Sequence, residues 1–560
     1  MTMNPSTVSL AGSGVGTIGC RVGARTGGAA GWPLNSFPAQ LSALLIAEAY
    51  PHPVETVTLI ETHVSWVLLA GDFAYKIKRP VCYPFVDMRT LDQRHFLCRE
   101  ELRLNRRFAP ELYLDVVCIT QRGEVVRIGG LGVVLEHAVR MRKFDRSEEL
   151  DRLLVHCAIE PEDLAELGRS LAKIHRDLPQ VGEGAAFGLF RAVRDSVLQN
   201  VEQFRTLSAR VGLAVDPEAL RRSFNVRLQQ ALILIDARRA SGSVRECHGD
   251  LHCRNVVRAE GRLVAFDGLE FQPAFRWIDV AEEIAFLYMD LGRWGAHAHA
   301  AAFLNGYLSE SGDYEAASLV RLYGAHRALV RAKVAAIEAA SASSEEREPA
   351  RLEHSAYVAS ARDLLSPQRP ALILMTGFSG SGKTWLAQRL APQMGAIHVR
   401  SDIERKRLAG MGALDSSASG VDQGLYAPDL NDRTYERLVS CAEDILAGGF
   451  CAIVDATFQR RADRDRLSGL ASALGISLVV VRCRAPQVTL QARILQRQKR
   501  ADDASETNLE VLERQQAGFE AIDPGESLTV IDADTTVEGV VATTLAALRS
   551  AGVQRISRCS

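Results

Sequence analysis

The chain has 560 residues, of which 47% are hydrophobic and 24% are charged, and its formal net charge is −2. A chain of this length exceeds a single hydrophobic core and predicts about two to four domains. The near-neutral charge argues against a general nucleic-acid partner, and no apolar run reaches the roughly 18 residues that a membrane span needs. The 11 cysteines contain no CxxC pair, which favours reduced thiols in a cytoplasmic protein.

Residues 1–35 differ in composition from the rest of the chain. They are rich in glycine, and the stretch from Ser9 to Trp32 contains neither Asp nor Glu. A formal GxGxxG stands at Gly14 to Gly19, but the strand that a dinucleotide-binding turn requires does not precede it. We interpret residues 1–35 as a disordered tail.

Residues 36–365 begin with strand patterns and continue with helical ones. Apolar residues alternate from Val54 to Pro80, with a turn signal at Gly71-Asp72. Helical spacing follows from Arg94 to Phe108, and the patterns are mostly helical after Pro161. We therefore predict a first domain of α+β content over residues 36–365.

A second domain is predicted over residues 366–560. It opens after Pro370 with the apolar run "ALILMTG", and the later runs "CAIVDATF" and "SLVVVRC" alternate with stretches of helical spacing. This alternation is typical of a mostly parallel sheet with helices on both faces. The second domain is therefore predicted to be α/β.

The segment "HGDLHCRN", from His248 to Asn255, places an aspartate and an asparagine five residues apart. Phosphoryl transfer to an alcohol needs a carboxylate that orients the hydroxyl and accepts its proton, and it needs oxygen ligands that hold Mg²⁺ against the phosphates. Asp250 suits the first role, and Asn255 suits the second. A further carboxylate, Asp267, ends an apolar strand 17 residues after Asp250 and also suits the metal.

A kinase centre of this kind also needs a cation on the ATP phosphates, braced by a glutamate. The strand "FAYKIKRP" carries Lys76 and Lys78 on one face, two residues apart. Lys76 is preferred because Ala74 precedes it in the Ala-x-Lys order of the kinase strand. Glu101, in the following helix, is its preferred partner, with Glu100 as the alternative.

Residues 37–365 resemble the aminoglycoside phosphotransferase-like kinases in "HGDLHCRN", "AFDGLEF", "WIDVAEEIAFL" and the region of "AYKIKRP" and "EELRLNRRFAPELY". The resemblance implies a two-lobed protein-kinase-like fold that transfers the γ-phosphate of ATP to a small-molecule hydroxyl. It implies Asp250 as the catalytic base, and Asn255 and Asp267 as Mg²⁺ ligands. It also implies that "LEHAV", residues 135–139, is the hinge that faces adenine. It does not imply an aminoglycoside acceptor, because one fold hosts many substrates.

The segment "GFSGSGKT" fits the P-loop pattern G-x4-G-K-[ST] and lies between an apolar strand and a helical stretch. In such a loop the backbone N–H groups wrap the phosphates, the lysine reaches the β- and γ-phosphates, and the hydroxyl that follows takes Mg²⁺. The predicted nucleotide ligands are Gly377, Ser379, Gly380, Ser381, Gly382, Lys383 and Thr384. Of these, Thr384 is also a predicted metal ligand.

Three later segments carry polar residues that suit an acceptor site and a lid. Asp402 and Arg405 stand three apart at a predicted helix start, so they share one face. Asp455 ends an apolar strand, and Arg493 and Arg497 lie along one side of a predicted helix.

The second domain resembles the small P-loop kinases, particularly the gluconate-kinase and polynucleotide-kinase groups. The resemblance implies Asp402 as the catalytic base and Arg405 as a clamp on the acceptor. It implies a lid over ATP that carries Arg493 and Arg497. Two roles stay open for Asp455, either at the metal through water or on the acceptor.

The whole chain resembles the bifunctional proteins in which an aminoglycoside phosphotransferase-like kinase precedes a P-loop domain of the AAA class, with matches at "YKIKRP", "FDGLEF", "LMTGFSGSGKT" and "DATFQRRADR". The resemblance implies an ATP-dependent phosphotransferase with two Mg-ATP sites. Two alternatives stay open: a P-loop ATPase that regulates a kinase-like domain, and a nucleotide-binding protein without transfer activity. The expected cofactors are ATP and Mg²⁺. The expected partner is a small-molecule acceptor and not a membrane, and the oligomeric state is not predicted. A nucleic-acid 5′-hydroxyl stays open as a lesser alternative for the second domain, although no basic stretch with interspersed aromatic residues supports it.

Overall fold

A six-stranded antiparallel sheet lies in the N-terminal part of the described chain, after two short 3-10 helices at Ala39–Leu45 and Ala47–Ala49. The computed structural model describes residues 37–83, 86–210, 216–341, 344–415, 425, 427–500, 503–505, 507–526 and 528–553, so the predicted tail at residues 1–35 lies outside the described residues. The strands of this region are β1 (Val57–Glu61), β2 (Ser65–Ala70), β3 (Phe73–Lys78), β4 (Cys82–Tyr83), β5 (Val86–Asp87), β6 (Tyr113–Arg122), β7 (Val125–Ile128) and β8 (Val133–Arg142). The sheet has the order β1-β2-β3-β8-β6-β7, and β4 and β5 form a separate hairpin.

One long helix, α1 (Leu91–Asn105), joins β5 to β6 and packs on β8 and β6. The sequence predicts a helix from Arg94 to Phe108, and the observed helix both begins and ends earlier, at Leu91 and Asn105. Its start is set by Thr90, whose side chain accepts a hydrogen bond from the Gln93 N–H while Gln93 reaches back to the Thr90 N–H. This reciprocal cap satisfies two N–H groups that would otherwise lack a partner at the helix start.

The predicted hinge at residues 135–139 is wrong. These residues lie inside β8, which pairs with β3 on one edge and with β6 on the other. Residues 136–139 pair with β6, and Ala138 and Val139 also pair with β3, so this stretch belongs to the sheet and is not a connection between the lobes. The chain leaves the sheet only after Arg142, and that exit is where the two lobes are connected.

The second lobe is helical. Its helices are α2 (Leu150–Val155), α3 (Pro161–Asp177), α4 (Phe190–Arg210), α5 (Pro217–Ala240), α6 (Pro273–Arg276), α7 (Val280–Arg293), α8 (His297–Ser311), α9 (Ala317–Ser341) and α10 (Ser344–Leu365). Two short antiparallel pairs lie among them: β9 (Val244–Glu246) pairs with β12 (Trp277–Asp279), and β10 (Val256–Ala259) pairs with β11 (Arg262–Ala265). The "HGDLHCRN" segment connects β9 to β10, and Asp267 follows β11, so these strands bring both motifs to one place.

A five-stranded parallel sheet forms the rest of the chain. Its strands are β13 (Ala371–Thr376), β14 (Ile397–Arg400), β15 (Ala452–Asp455), β16 (Ser477–Arg484) and β17 (Thr529–Asp534), in the order β14-β15-β13-β16-β17. Its helices are α11 (Lys383–Met394), α12 (Ser401–Leu408), α13 (Pro428–Ala447), α14 (Arg461–Leu474), α15 (Gln487–Arg500), α16 (Leu509–Ala517) and α17 (Val540–Ser550). The predicted fold classes of both halves are therefore confirmed.

The helical lobe and the parallel sheet share one hydrophobic core. A single cluster of buried side chains runs from Leu167 on α3 through Phe303 on α8 to Leu372 and Val454 in the parallel sheet. A second cluster covers the opposite face of that sheet. The described residues from Phe37 onward form one compact unit, and the predicted boundary between residues 365 and 366 lies between α10 and β13.

Among the described residues, none of the helices has both the length and the apolar composition that a membrane span needs.

Candidate functional site

A buried glutamate holds the loop that carries Asp250. Glu283, on α7, accepts hydrogen bonds from the backbone N–H of His248 at 2.8 Å and of Gly249 at 3.0 Å. Gly249 has a φ of +84°, and a Cβ at this position would lie 2.7 Å from the Phe275 carbonyl oxygen, so only glycine fits. Burial raises the pKa of Glu283 to about 7. The shape of the loop is therefore set by the packed lobe around it.

Asp250 and Asn255 lie side by side in this loop. The amide nitrogen of Asn255 donates to the Asp250 backbone carbonyl at 2.9 Å and to its carboxylate Oδ2 at 3.1 Å, and His252 Nε2 lies 3.4 Å from the same carboxylate oxygen. Burial acts to raise the pKa of Asp250, but the charges of His252 and Arg331 outweigh it and hold this pKa well below its usual value. The carboxylate is therefore ionised at neutral pH and can accept a hydrogen bond from an alcohol.

Lys76, Glu101 and Asp267 form a chain of ion pairs beside this loop. Lys76 Nζ lies 2.8 Å from Glu101 Oε1, and it also pairs with Asp267. Burial acts to raise the pKa of Asp267, but Lys76 outweighs it, and the charge of Asp250 is close enough to oppose this lowering. The structure thus brings Lys76, Glu101, Asp250, Asn255 and Asp267 into one centre.

The backbone at Asp267 is unusual. Its φ is +62°, a value that residues other than glycine seldom adopt, and its N–H donates to the Tyr113 hydroxyl at 3.0 Å. Backbone conformations of this kind are concentrated at functional sites, where the surrounding structure enforces them. The conformation is consistent with a site in which the direction of the Asp267 carboxylate is important for function.

Two members of this centre were missed or left as alternatives by sequence reasoning. Lys78, the alternative to Lys76, pairs with Glu101 Oε2 at 2.5 Å and with Glu270, to which the sequence analysis assigned no role. The Lys78 side chain is 1% exposed and that of Lys76 is 13% exposed, so Lys76 is the more accessible of the two lysines. A signal for Glu270 was available, because two lysines on one strand face need more than one carboxylate if both are buried. No comparable pattern in the sequence indicated that Glu283 would bind the loop of His248 and Gly249.

The P-loop turn joins β13 to α11, which begins at Lys383. Lys383 Nζ donates to the carbonyl oxygens of Gly377 at 2.7 Å and of Phe378 at 3.1 Å, and burial lowers its pKa. Gly380 has a φ of +82°, and a Cβ there would lie 2.6 Å from the Leu490 carbonyl oxygen on α15. The loop is therefore wrapped around the lysine and packed against the predicted lid helix.

The two P-loop serines have different surroundings. Ser379 donates its N–H to Gln515 Oε1 at 2.9 Å and its hydroxyl to Thr507 at 3.2 Å, so the segment that follows α15 lies against the loop. Ser381 Oγ is buried and has no hydrogen-bond partner among the described residues. Gly382, with a φ of +83°, immediately precedes α11. A buried hydroxyl without a partner is what a loop built around a polar ligand would contain.

Thr384 and Asp455 meet at the carboxyl ends of two neighbouring strands. β13 and β15 are parallel, with Met375 opposite Asp455, and Thr384 Oγ1 donates to Asp455 Oδ2 at 2.6 Å. His398 Nε2 lies 3.4 Å from the same oxygen. Burial acts to raise the pKa of Asp455, but His398, Lys383 and Thr384 outweigh it and hold this pKa at about 2. Of the two roles left open for Asp455, this position beside Thr384 favours the one at the metal.

Asp402 and Arg405 line the same cavity as the P-loop, which has a volume of about 530 Å³. They lie on α12 with Asp402 Oδ1 3.4 Å from Arg405 Nη1, as their spacing predicts. Arg405 Nη2 also donates to Asn431 Oδ1 at 3.2 Å. One cavity therefore contains the phosphate loop and a carboxylate–guanidinium pair that does not belong to that loop.

Both predicted lid arginines line this cavity. Arg493 donates to the Gly380 carbonyl at 3.1 Å and to Thr535 Oγ1 at 2.8 Å, so it braces the P-loop backbone. Arg497 donates to the Thr507 carbonyl at 3.4 Å. Arg497 is the less tightly held of the two.

The oxygen atoms at both centres suit Mg²⁺. Asn255 and Asp267 supply an amide oxygen and a carboxylate at the first centre, and Thr384 and Asp455 supply a hydroxyl and a carboxylate at the second. Within the described ranges, no group of three or more His, Cys, Asp or Glu residues forms a metal cage. Mg²⁺ needs no such cage, because in nucleotide sites one or two protein oxygens bind it together with water and phosphates.

Two family models match the chain. Residues 97–320 match the model described as "Phosphotransferase enzyme family", and residues 372–522 match the model described as "AAA domain". The chain is also similar to an uncharacterized protein of Mycobacterium tuberculosis strain H37Rv, with 28% identity over 475 residues that cover 84% of this chain and 92% of that protein. An uncharacterized protein of Mycobacterium bovis has the same identity and coverage.

Solved kinase structures are similar to parts of the chain. A choline kinase from Cryptosporidium parvum has 10% identity and a TM-score of 0.37, and the match covers 59% of this chain and 96% of that one. A gluconokinase from Sinorhizobium meliloti has 20% identity and a TM-score of 0.24, and the match covers 33% of this chain and 94% of that one. Both TM-scores are below 0.5, and it is the two family models that define the class of the chain.

The matches define an ATP-dependent kinase in which a phosphotransferase-family domain precedes an AAA-class P-loop domain. The predicted resemblance is therefore confirmed for both halves and for their order. The similarity to the mycobacterial proteins extends across both halves, because 475 aligned residues exceed the length of either one.

Proposed function

We propose that the chain phosphorylates hydroxyl groups of small molecules at two centres, each of which uses Mg-ATP. The proposal rests on one observation: in each half, the side chains predicted to bind phosphate and those predicted to bind the acceptor lie close together. In the second half this is clearest, because Lys383 and the Asp402–Arg405 pair line a single cavity. A site that only hydrolysed ATP would not need a second, separately positioned carboxylate and guanidinium.

At the first centre, Lys76 holds the ATP phosphates and Glu101 keeps Lys76 in place. Asn255 and Asp267 hold Mg²⁺, which when bound neutralises charge on the phosphates. Asp250 orients the acceptor hydroxyl and takes its proton as the acceptor oxygen bonds to the γ-phosphorus and the bond to ADP breaks. The low pKa of Asp250 fits a residue that orients the hydroxyl and receives its proton late in the transfer.

At the second centre, the P-loop N–H groups and Lys383 bind the phosphates, and Thr384 and Asp455 hold Mg²⁺ directly or through water. Asp402 orients the acceptor hydroxyl and takes its proton, and Arg405 holds another polar group of the acceptor. The lid arginines Arg493 and Arg497 extend the phosphate side of the cavity. The proton and the phosphoryl group follow the same course as at the first centre.

A regulatory ATPase is the second candidate, and one observation favours it. Helix α8 of the phosphotransferase domain contacts both α11 and β14 of the P-loop domain. Turnover at the P-loop could therefore move the first centre. This candidate predicts ATP hydrolysis without a phosphorylated product at the P-loop, and a nucleotide-binding protein without transfer activity predicts neither.

The partner in this proposal is a small-molecule alcohol, and we expect no nucleic-acid acceptor. We propose that the protein acts in the cytoplasm, where ATP is available and where the free thiols of its described cysteines stay reduced.

The decisive experiment incubates the full chain with Mg-ATP and a metabolite library, and searches by mass spectrometry for a gain of one phosphate. The same library is incubated with Asp250→Asn, with Asp402→Asn and with the double variant. Products lost only with Asp250→Asn belong to the first centre, and products lost only with Asp402→Asn belong to the second. ATP consumption with no product in a broad library would contradict transfer and favour the regulatory ATPase.

A further inference from the structure

Helix α8 belongs to the phosphotransferase domain but lies against the edge of the parallel sheet. It falls within the matched residues 97–320, whereas its neighbours α11 and β14 fall within the matched residues 372–522. β14 is the first strand in the sheet order, so one side of its backbone has no strand partner among the described residues. Buried peptide groups at a sheet edge must find hydrogen bonds elsewhere.

Asn305, on α8, supplies those hydrogen bonds. Its Nδ2 donates to the Ala396 carbonyl at 2.9 Å, and its Oδ1 accepts from the His398 N–H at 2.7 Å. The partners are two residues apart and face the same edge, so the side-chain amide takes the place of a peptide group in a missing neighbouring strand. The second Nδ2 hydrogen is donated to the Ala301 carbonyl of its own helix at 2.8 Å, which fixes the amide plane.

The strand that Asn305 holds leads directly into the P-loop centre. His398 is 7% exposed, and its Nε2 lies 3.4 Å from the carboxylate of Asp455, which accepts the hydroxyl hydrogen bond of Thr384. The strand ends two residues after His398, and α12, which begins at Ser401, carries the acceptor-side residues Asp402 and Arg405. The position of β14 therefore affects both the metal side and the acceptor side of the cavity.

A second contact holds the far end of α12 to the same helix. Arg407 Nη2 donates to the Ser309 carbonyl at 2.6 Å, and Glu404, which is fully buried, pairs with Arg407 and with Arg437 at 3.1 Å. The segment from β14 to α12 is thus held at both ends by α8. Asn305 is the contact nearer to the P-loop.

We propose that Asn305 is a positioning residue for the P-loop centre, so that this centre is completed by a side chain from the phosphotransferase domain. Asn305 acts through β14, which places His398 against Asp455 and sets the start of α12. Without it, the edge strand loses two hydrogen bonds and Asp455 loses a fixed neighbour. The P-loop itself follows β13, so its backbone grip on the phosphates stays intact. This inference rests on the proposed role of Thr384 and Asp455 at the metal.

The test measures the affinity of a non-hydrolysable ATP analogue with Mg²⁺ and with EDTA, in the full chain. The parent protein carries Lys76→Ala so that the P-loop site provides the signal, and Glu101 keeps Lys78 as a partner. Asn305→Leu is compared with Ser318→Ala, which deletes another hydrogen bond between the domains, from Ser318 Oγ to the Asp444 carbonyl at 2.8 Å. Leu is close to Asn in size and favours a helix more strongly.

Asn305→Leu should reduce the gain in affinity from Mg²⁺ by about ten-fold, which is the lower end of the usual effect of outer-shell partners. Its affinity in EDTA should stay at the parent value. Hydrogen exchange at the His398 amide should become faster in Asn305→Leu and stay unchanged in Ser318→Ala. An unchanged Mg²⁺ effect in Asn305→Leu, or an equal loss in Ser318→Ala, would overturn the proposal.

Two further outcomes are decisive. If Asn305→Leu fails to melt cooperatively, Asn305→Asp replaces it, because Asp keeps the acceptor for the His398 N–H and loses the donor to Ala396. The same ten-fold criterion then applies. If the Lys76→Ala parent binds no nucleotide, the proposed P-loop centre fails and this inference fails with it. That result differs from a parent that binds normally and is insensitive to Asn305.

Discussion

Thr384 Oγ1 donates a 2.6 Å hydrogen bond to Asp455 Oδ2 across 71 residues of chain. The two residues meet because β13 and β15 are parallel neighbours, and parallel strands present their carboxyl ends at one edge of the sheet. A hydroxyl and a carboxylate are thereby placed beside the P-loop lysine. Both are ligands that Mg²⁺ accepts, either directly or through water.

Replacing Thr384 should separate metal binding from loop structure. Thr384→Val keeps the shape and removes the hydroxyl, so we expect the Mg²⁺-dependent part of nucleotide affinity at this centre to fall about 10- to 100-fold. Thr384→Ser restores the hydroxyl and should restore most of the affinity. The measurement is calorimetric titration with a non-hydrolysable ATP analogue, with and without Mg²⁺, in the Lys76→Ala background. Equal affinities for the Val and Ser variants would contradict a role of this hydroxyl at the metal.

Substitutions of Lys383 and of Asp402 should distinguish the use of ATP from the transfer of the phosphoryl group to an acceptor. Lys383→Ala removes the charge that faces the phosphates, so both ATP hydrolysis and product formation at the second centre should disappear. Asp402→Asn leaves the loop intact, so nucleotide binding should persist while transfer falls about 10²- to 10⁴-fold. Labelled phosphate and labelled product are counted together for each variant, once an acceptor is known. Unchanged transfer by Asp402→Asn would disprove its assignment as the base.

At the first centre, substitution of Asp250 should impair phosphoryl transfer, whereas substitution of Asp267 should impair ATP binding. Asp250→Asn keeps the hydrogen-bonding shape of the loop, so nucleotide affinity should stay near the wild-type value while transfer falls about 10²- to 10⁴-fold. Asp267→Asn removes a charge that faces Lys76, so it should weaken Mg²⁺-dependent ATP binding. The Lys383→Ala background leaves only the first centre to be titrated. If the two variants weakened ATP binding equally, the two carboxylates would not have separate roles.

The burial of His175 should make the free energy of unfolding decrease at acidic pH. It is 2% exposed, its Nδ1 lies 2.9 Å from the Tyr307 hydroxyl, and burial lowers its pKa from 6.5 to about 3. Between these values the unfolded chain binds a proton that the folded chain does not, so the folded state loses stability as pH falls from about 6.5 toward 3. The loss approaches about 1.4 kcal/mol per pH unit for one such group.

Thermal melting at pH 4.5, 5.5 and 6.5 checks this prediction about His175. His175→Gln should flatten the pH dependence of the melting temperature, even if the variant is less stable at pH 6.5. His63→Gln is the control, because His63 lies exposed at the surface. An identical acid slope for wild type and His175→Gln would show that other groups cause the loss.

The sequence by itself determined the local chemistry. The P-loop and the "HGDLHCRN" segment are short, and a few glycines and flanking strands hold their shape, so their residue types were enough to identify them. The pair Asp402 and Arg405 was also predictable, because helical spacing alone puts residues three apart on one face. The helix α1 was predicted too late in the chain at both ends, because apolar spacing does not mark the cap at Thr90 that sets its start.

Only the tertiary structure decided which distant groups meet. Glu270 and Glu283 are brought to the first centre by chain segments that no local spacing relates to Lys78 or Gly249. The hinge prediction failed for the same reason, because the point at which a strand leaves its sheet depends on the strands with which it pairs. Asn305 lies 93 residues from His398, and an asparagine on a helix carries no sign of the strand edge it will meet. Local sequence specifies the groups, and packing of the whole chain specifies their partners.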